Sequence, residues 1–311
     1  MFKSIILIAC FYLIEKASLI KSFTGRKELI GHTDSVLSLI LLPNGDLASG
    51  SSDQTILIWD RINLQIKQNL TGHSSWVTSL AVLPNGDLVS GEDNYMDSIF
   101  IWNTTTGLIK KKLNAQMIRC LKVLSNGDLV SGSYDSSIKI WNTQNGSVKL
   151  DLIGHASSVL SLLVLPNRED LLVSSSLDGS IFIWNVRDGS IKKRMQGEPY
   201  SFFALALLPK AKMAAGYFDN SITIWDLRSR KMNNQRLSGH TKSVEALSVL
   251  KNGDLVSGSW DGSIIVWNLK DGSIKQKHEC KSGVYSLINM SNGDRDFASG
   301  LDNGSIIIWN L

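Results

Sequence analysis

Histidine, serine and aspartate recur together along this chain, and they are the side chains of acyl-transfer chemistry. They stand as His32, Ser49 and Asp53; as His155, Ser174 and Asp178; and as His240, Ser257 and Asp261. An imidazole can take a hydroxyl proton while a carboxylate holds the imidazole in place. A catalytic set, however, occurs once per site. This one returns, each time followed by a tryptophan: Trp59, Trp184 and Trp267. Recurrence with a fixed companion marks a structural device, so no catalytic residue is expected. Other chemistry is equally thin. Four of the five histidines lie in Gly-His pairs at 31–32, 72–73, 154–155 and 239–240, and the fifth is His278. None has a metal-binding spacing to another His or Cys, so no metal is expected. No glycine-rich phosphate loop follows a strand, and no cofactor is expected.

The elements that position these residues show in the spacing of the tryptophans. Seven Trp-Asp or Trp-Asn pairs, at Trp59, Trp102, Trp141, Trp184, Trp225, Trp267 and Trp309, are separated by 43, 39, 43, 41, 42 and 42 residues. A period of this length means one supersecondary unit stacked many times. Within the periods the turn signals also recur: Asn-Gly at 44–45, 85–86, 126–127, 252–253 and 292–293, then Asp-Gly or Asn-Gly at 178–179, 261–262 and 303–304. A third turn, Asp-Gly, falls at 188–189 and 271–272. Short runs rich in β-formers lie between them, so each period predicts four antiparallel strands and three tight turns. Both residues of Asn-Gly tolerate φ > 0, as a two-residue hairpin needs. A length of 311 residues would by itself suggest two domains. The repeat replaces that with one.

These marks resemble the WD40-repeat family, over about residues 26–311. The resemblance implies an all-β fold, a seven-bladed β-propeller with four antiparallel strands per blade around a narrow channel. It also implies a scaffold that binds peptides or proteins, and a hydrogen-bonded network in each blade from Trp to Ser to His to Asp. Such a network satisfies polar groups that would otherwise be buried unpaired. It is expected to be incomplete in three blades. Asn114-Ala115, Gly197-Glu198 and Cys280-Lys281 replace Gly-His there, and Ala215 replaces the serine. The second repeat carries extra residues within 92–97, leaving Asp93 and Asp97 as alternative turn carboxylates; in the seventh, Asp302 and Asn303 compete. The sequence ends two residues after Trp309, so the last repeat has three strands. Residues 20–30 are expected to supply the fourth and close the ring, which removes open sheet edges.

Charge and composition bound the partners. Lys and Arg number 32 against 28 Asp and Glu, a net charge of +4. That is no concentrated basic face, so no specific nucleic acid is expected. Basic clusters at 110–112 and 192–194 fall in outermost strands and read as solvated edges. No apolar run reaches the ~18 residues of a membrane span. Cys10, Cys120 and Cys280 form no disulfide framework and suit a reducing, cytoplasmic location. Residues 1–18 stand apart from the propeller domain of 19–311. Lys3 ahead of an apolar run at 5–14 resembles a signal-peptide core, which would mean secretion. Alternatively, residues 4–8 echo 305–308 as a decayed repeat remnant.

Binding is expected on one propeller face. Positions just before the turn aspartates, Ser52, Tyr134, Leu177, Phe218 and Trp260, vary between repeats, and three are aromatic. Trp76 and Tyr200 lie just ahead of inner strands; Arg119, Glu245 and Tyr285 lie one residue inside them. Variation at a fixed exposed place suits specificity, and aromatic rings suit binding hot spots. The bland alternative is that these rings cover gaps between blades. The expected function is a non-catalytic adaptor, a monomeric propeller within a complex. A recognition module of a larger assembly, such as a ubiquitin-ligase adaptor or a sensor, is the alternative, and a propeller enzyme a weaker one.

Overall fold

Each period folds as the strand and turn signals dictate. In the first blade Val36–Leu41, Leu47–Ser51, Ile56–Trp59 and Ile66–Leu70 pair antiparallel in chain order. The two middle strands are buried at every position, because blades cover both of their faces. They therefore lack the alternation of a half-solvated strand. The outer strand is mostly exposed, with Gln68 half-buried and Leu70 turned inward at its end.

The computed structural model describes residues 21–23, 26–165, 170–197, 202–228, 235–290 and 296–310, with only the backbone at 21–23 and 202–203. Seven sheets of this kind are present. Their innermost strands, Val36–Leu41, Val77–Val82, Ile118–Val123, Val159–Val164, Phe202–Leu208, Val244–Val249 and Val284–Asn289, each touch the next, and the last touches the first. The result is a seven-bladed β-propeller. Its core is divided among clusters that lie between successive blades; one, for example, joins Val77, Leu80 and Trp102 of the second blade to Ala48 and Ile58 of the first.

The ring closes within the expected segment. Arg26–Ile30 pairs antiparallel with Ser305–Trp309, setting the fully buried Leu29 opposite Ile306. One strand more than expected is present: Lys21–Phe23 folds back on Arg26–Ile30 as a fifth member of this sheet. The 1–18 segment lies outside the described residues.

Close approach between blades needs glycine where a second strand meets the next inner strand. A Cβ on Gly91 would sit 2.4 Å from Ile118 Cγ2, and one on Gly300, at the closing seam, 2.6 Å from Val36 Cγ1. The four described Asn-Gly turns of the first series differ from expectation, the turn at 292–293 lying outside the described residues. Only the glycine is left-handed, as at Gly45 (φ 88°), while the asparagine side chain serves as a brace. Asn44 Oδ1 accepts from the Asp46 amide, and its Nδ2 donates to the Asp46 carboxylate. An outer-strand lysine then clamps that aspartate: Lys67 to Asp46 at 2.9 Å, Lys110 to Asp87 at 2.7 Å, Lys149 to Asp128 at 2.6 Å and Lys275 to Asp254 at 2.5 Å. The basic clusters are accordingly not simply solvated. Lys112 and Arg194 lie over the rings of Phe100 and Phe182, and Lys193 donates to the Leu227 carbonyl.

Candidate interaction site

The recurrent polar set is wired inside the blades. Trp59 Nε1 donates to Ser49 Oγ at 2.8 Å, Ser49 Oγ lies 2.7 Å from His32 Nε2, and His32 Nδ1 lies 2.8 Å from Asp53 Oδ2. All three bonds are satisfied when the proton sits on Nδ1 and the serine hydroxyl donates to Nε2. In the sixth blade the same chain runs Trp267, Ser257, His240, and Nδ1 faces both Ser263 Oγ at 3.0 Å and Asp261 at 3.2 Å. In the fourth blade Ser180 Oγ is the nearer partner of His155 Nδ1, at 2.8 Å, and Asp178 stands 3.5 Å away.

Burial and partners set the charges of these groups. Burial drives the His155 imidazole down to about 4, with Asp178 opposing. Asp261 is pushed up by burial but held down to about 2 by bonds from Ser263 and Thr241 and by His240. A serine so bonded has its hydroxyl committed and its blade packed over it. Ser49, Ser174 and Ser257 are fully buried and offer no nucleophile to a substrate.

The second blade supplies its carboxylate from neither Asp93 nor Asp97. Glu92 does so: its Oε2 accepts from the amides of Ser74 and Ser75 and lies 3.2 Å from His73 Nδ1, too far off line for a straight hydrogen bond. The longer side chain reaches the site from a position earlier in the strand, which motif alignment could not show. In the seventh blade Asn303 takes the turn, accepting from Ser305 N–H and Oγ–H, while Asp302 accepts from Ser35 of the neighbouring blade. In the third and seventh blades Trp141 and Trp309 keep their serine bond without a histidine. In the fifth, Ala215 stands in the serine's place, and the buried Trp225 indole N–H makes no well-formed hydrogen bond, the Tyr217 hydroxyl lying near it.

One repeated backbone bond builds the rim of the channel. The amides of Ser52, Asp93, Tyr134, Leu177, Trp260 and Asp302 donate to the carbonyls of Ser35, Trp76, Met117, Ser158, Ser243 and Gly283 at 2.9–3.1 Å. Main chain fixes these positions, so their side chains are free to differ. The bond also shows that Asp93 and Asp302 belong to the rim rather than the turns.

At the centre is a cavity of about 460 Å³. It is lined by six of the eight sequence-predicted residues: Trp76, Arg119, Phe218, Glu245, Trp260 and Tyr285. Tyr134 stands on the same face outside the cavity, 54 % exposed. Tyr200 lies outside the described residues. Leu37, Thr78 and Leu160 complete the wall and were missed. They occupy the register of Arg119, Glu245 and Tyr285, so the repeat spacing could have found them. Also missed were Tyr95 and Met96 on the second-blade insertion, 70 and 71 % exposed.

The cavity is electrically divided. Burial raises the Glu245 carboxyl, against a hydrogen bond from Ser243 and the charge of Arg119. Burial also raises the Tyr285 phenol, with Asp302, Glu245 and Asp34 adding to the shift. Carboxylates thus gather beside blades six, seven and one, with Arg119 on the third.

With this geometry in place, comparison with known proteins is decisive. A family model, "WD domain, G-beta repeat", matches residues 23–60, 64–103, 109–142, 146–185 and 232–268, more than half of the chain. The chain belongs to the WD40 family. The stretches of this WD40 propeller that the model passes over, 186–231 and 269–311, hold the blades with Ala215 and with Cys280-Lys281 in place of the usual residues. A solved structure, the crystal structure of the WD40 β-propeller domain of Doa1, superposes with a TM-score of 0.81 at 22 % identity, over 93 % of this chain and 98 % of that one. At that identity the likeness speaks for the fold. No curated protein matches the sequence. WD40 propellers bind proteins and are usually non-catalytic. Among the described residues no helix is long and apolar enough to cross a membrane.

Proposed function

We propose that this WD40 propeller is a non-catalytic scaffold that binds peptide or protein partners at the channel mouth. One observation carries the reading. Among the described residues, three of the five well-exposed aromatic side chains, Trp76, Phe218 and Trp260, line the central cavity, and Tyr134 stands on its rim. Aromatic anchors around a concave centre are what binding hot spots are made of. The rim is held by main-chain bonds, so a partner orders little of its receptor and loses little affinity to that cost. A side chain entering the cavity meets Asp34 and Glu245 on one side and Arg119 on the other. That division favours one orientation of the partner. The propeller works as a monomer within a complex, in a reducing compartment such as the cytoplasm.

The test is affinity capture with the full chain as bait, comparing wild type with the Trp76→Ala/Trp260→Ala variant by quantitative mass spectrometry. Circular dichroism and thermal melting establish that the variant is folded. Partners recovered with wild type are expected to be depleted about tenfold or more in the variant. Unchanged recovery by a folded variant removes this face from consideration.

A further inference from the structure

We propose a second binding surface on the opposite face, across blades four, five and six, whose occupant is a partner segment bearing apolar and acidic side chains. A groove of about 910 Å³ lies there. Its floor and walls are apolar, with Leu165 and Leu171 from the fourth blade, Leu207 and Leu227 from the fifth and Val249 from the sixth. Its rim is cationic: Lys210, Arg228 and Lys251 all border it. The volume is within the range of about 300–1,000 Å³ that accommodates ligands.

The fifth blade departs from the others at this groove. Blades one, two, three and six carry Asn-Gly-Asp at the turn, with left-handed glycine and an aspartate neutralised by a lysine. The fifth carries Lys210-Ala211-Lys212. The carboxylate has become an ammonium, and Lys210, exposed, makes no ion pair among the described residues. The turn is also strained, since Lys210 (φ 63°) and Ala211 (φ 57°) are both left-handed without being glycine or asparagine. Nothing in the strand pairing demands this, because the segment has the same length as the Asn-Gly-Asp turns. Strain kept beside a cavity is characteristic of functional sites.

Charge complementarity selects the occupant. Apolar side chains of a partner fill the groove while a carboxylate of it meets Lys210. A uniformly anionic membrane is a poorer match, because Asp226 lies 3.5 Å from Arg228 and breaks the positive field. The surface is separate from the channel mouth and stands whether or not the mouth binds anything.

The probe is a random peptide library of about twelve residues, displayed on phage and selected against the full chain. The selected peptides are measured by fluorescence polarisation. The reference variant is Lys210→Asn/Ala211→Gly/Lys212→Asp, which restores the turn of the other blades and so keeps the fold. Enriched peptides are expected to combine Asp or Glu with Leu, Ile or Phe. They are expected to bind wild type about tenfold or more tighter than the triple variant, to weaken in Leu227→Ala and at high salt, and to ignore Trp260→Ala. Enrichment of peptides without acidic residues overturns the proposal, as does equal binding to the triple variant. So does a third outcome: cosedimentation with phosphatidylserine vesicles that the triple variant loses, with no peptide selected.

Discussion

Replacing Asp261 by alanine asks whether the recurrent polar set carries stability. Asp261 Oδ2 accepts from the Thr241 amide at 2.8 Å and faces His240 Nδ1 at 3.2 Å, while Oδ1 accepts from Ser263 N–H at 2.8 Å and Ser263 Oγ–H at 2.7 Å. Its side chain is 5 % exposed. Asp219 holds the same turn in the fifth blade, accepting from Ser221 N–H at 3.1 Å and Ser221 Oγ–H at 2.6 Å. Its side chain is 49 % exposed, so water replaces much of what alanine removes. Asp261 has one amide and one imidazole partner that Asp219 lacks, both beyond easy reach of water; Asp219 has instead an ion pair with Arg236, whose exposure makes it contribute little. A hydrogen bond to a charged group contributes roughly 1.5–3 kcal/mol. Since Ser263 Oγ still reaches His240 Nδ1, the expected extra cost of Asp261→Ala is about 2–4 kcal/mol. For a protein near this size that corresponds to about 4–16 °C in melting temperature, given roughly 2–4 °C per kcal/mol. Scanning calorimetry and guanidinium unfolding of both variants measure it, and Asp261→Asn separates the charge from the shape. Equal losses in the two alanine variants would refute the structural reading of the set.

Acid sensitivity follows from the same blades. The native pKa of His155 is about 4 against an ordinary 6.5, so the unfolded chain takes up its proton first. This stability is complete above 6.5 and is lost as pH falls towards 4, about 3 kcal/mol in all; His155→Gln should flatten urea midpoints across that window, and an unchanged slope would count against it. Gly91→Ala should lower stability by about 1–3 kcal/mol, because its Cβ would sit 2.4 Å from Ile118 Cγ2; calorimetry that finds no loss would mean the blades can separate there. Glu92→Ala should destabilise by about 1–3 kcal/mol more than Asp97→Ala, since Glu92 alone reaches Ser74, Ser75 and His73; comparable melting temperatures would return the role to the turn.

The periodic part of this molecule was legible because each blade meets the same demand. A strand covered on both faces must be apolar or small throughout, and Leu47–Ser51 or Ile56–Trp59 says so in its own residues. The closing strand could be inferred from the shortage of a fourth strand in the last repeat, and Arg26–Ile30 fills it. Substitutions of function without substitution of position could not be read. Glu92 replaces a turn aspartate from within a strand, and only side-chain reach reveals it. The φ of Asn44 was misjudged for a related reason: its side chain, rather than its backbone freedom, is what the turn uses. At the channel mouth the repeat register pointed to Arg119, Glu245 and Tyr285. Attention to unusual residue types passed over Leu37, Thr78 and Leu160, which line the same wall with ordinary ones.

The blades without histidine are not equivalent, and this identifies where the ring should open first. The seventh lacks its histidine but gains the closing seam. Arg26 lies 4.2 Å over the Trp309 ring, and His278 packs 5.1 Å from it. The third keeps its Trp141–Ser131 bond. The fifth has neither compensation: Trp225 Nε1 is buried without a well-formed hydrogen bond, and its first turn is strained at Lys210 and Ala211. A buried donor left without a well-formed bond costs about 1–3 kcal/mol, and a left-handed alanine about 1–2 kcal/mol. Because each blade contacts only its neighbours, such costs remain largely local. Native-state hydrogen exchange should therefore show the amides of Lys212–Tyr217 and Ser221–Asp226 opening several-fold more readily than those of Leu47–Ser51 and Ile56–Trp59. Ala215→Ser supplies the serine acceptor of the other blades at a fully buried position and should slow exchange in the fifth blade selectively. Uniform exchange around the ring would show that closure, rather than the polar networks, sets the stability of every blade.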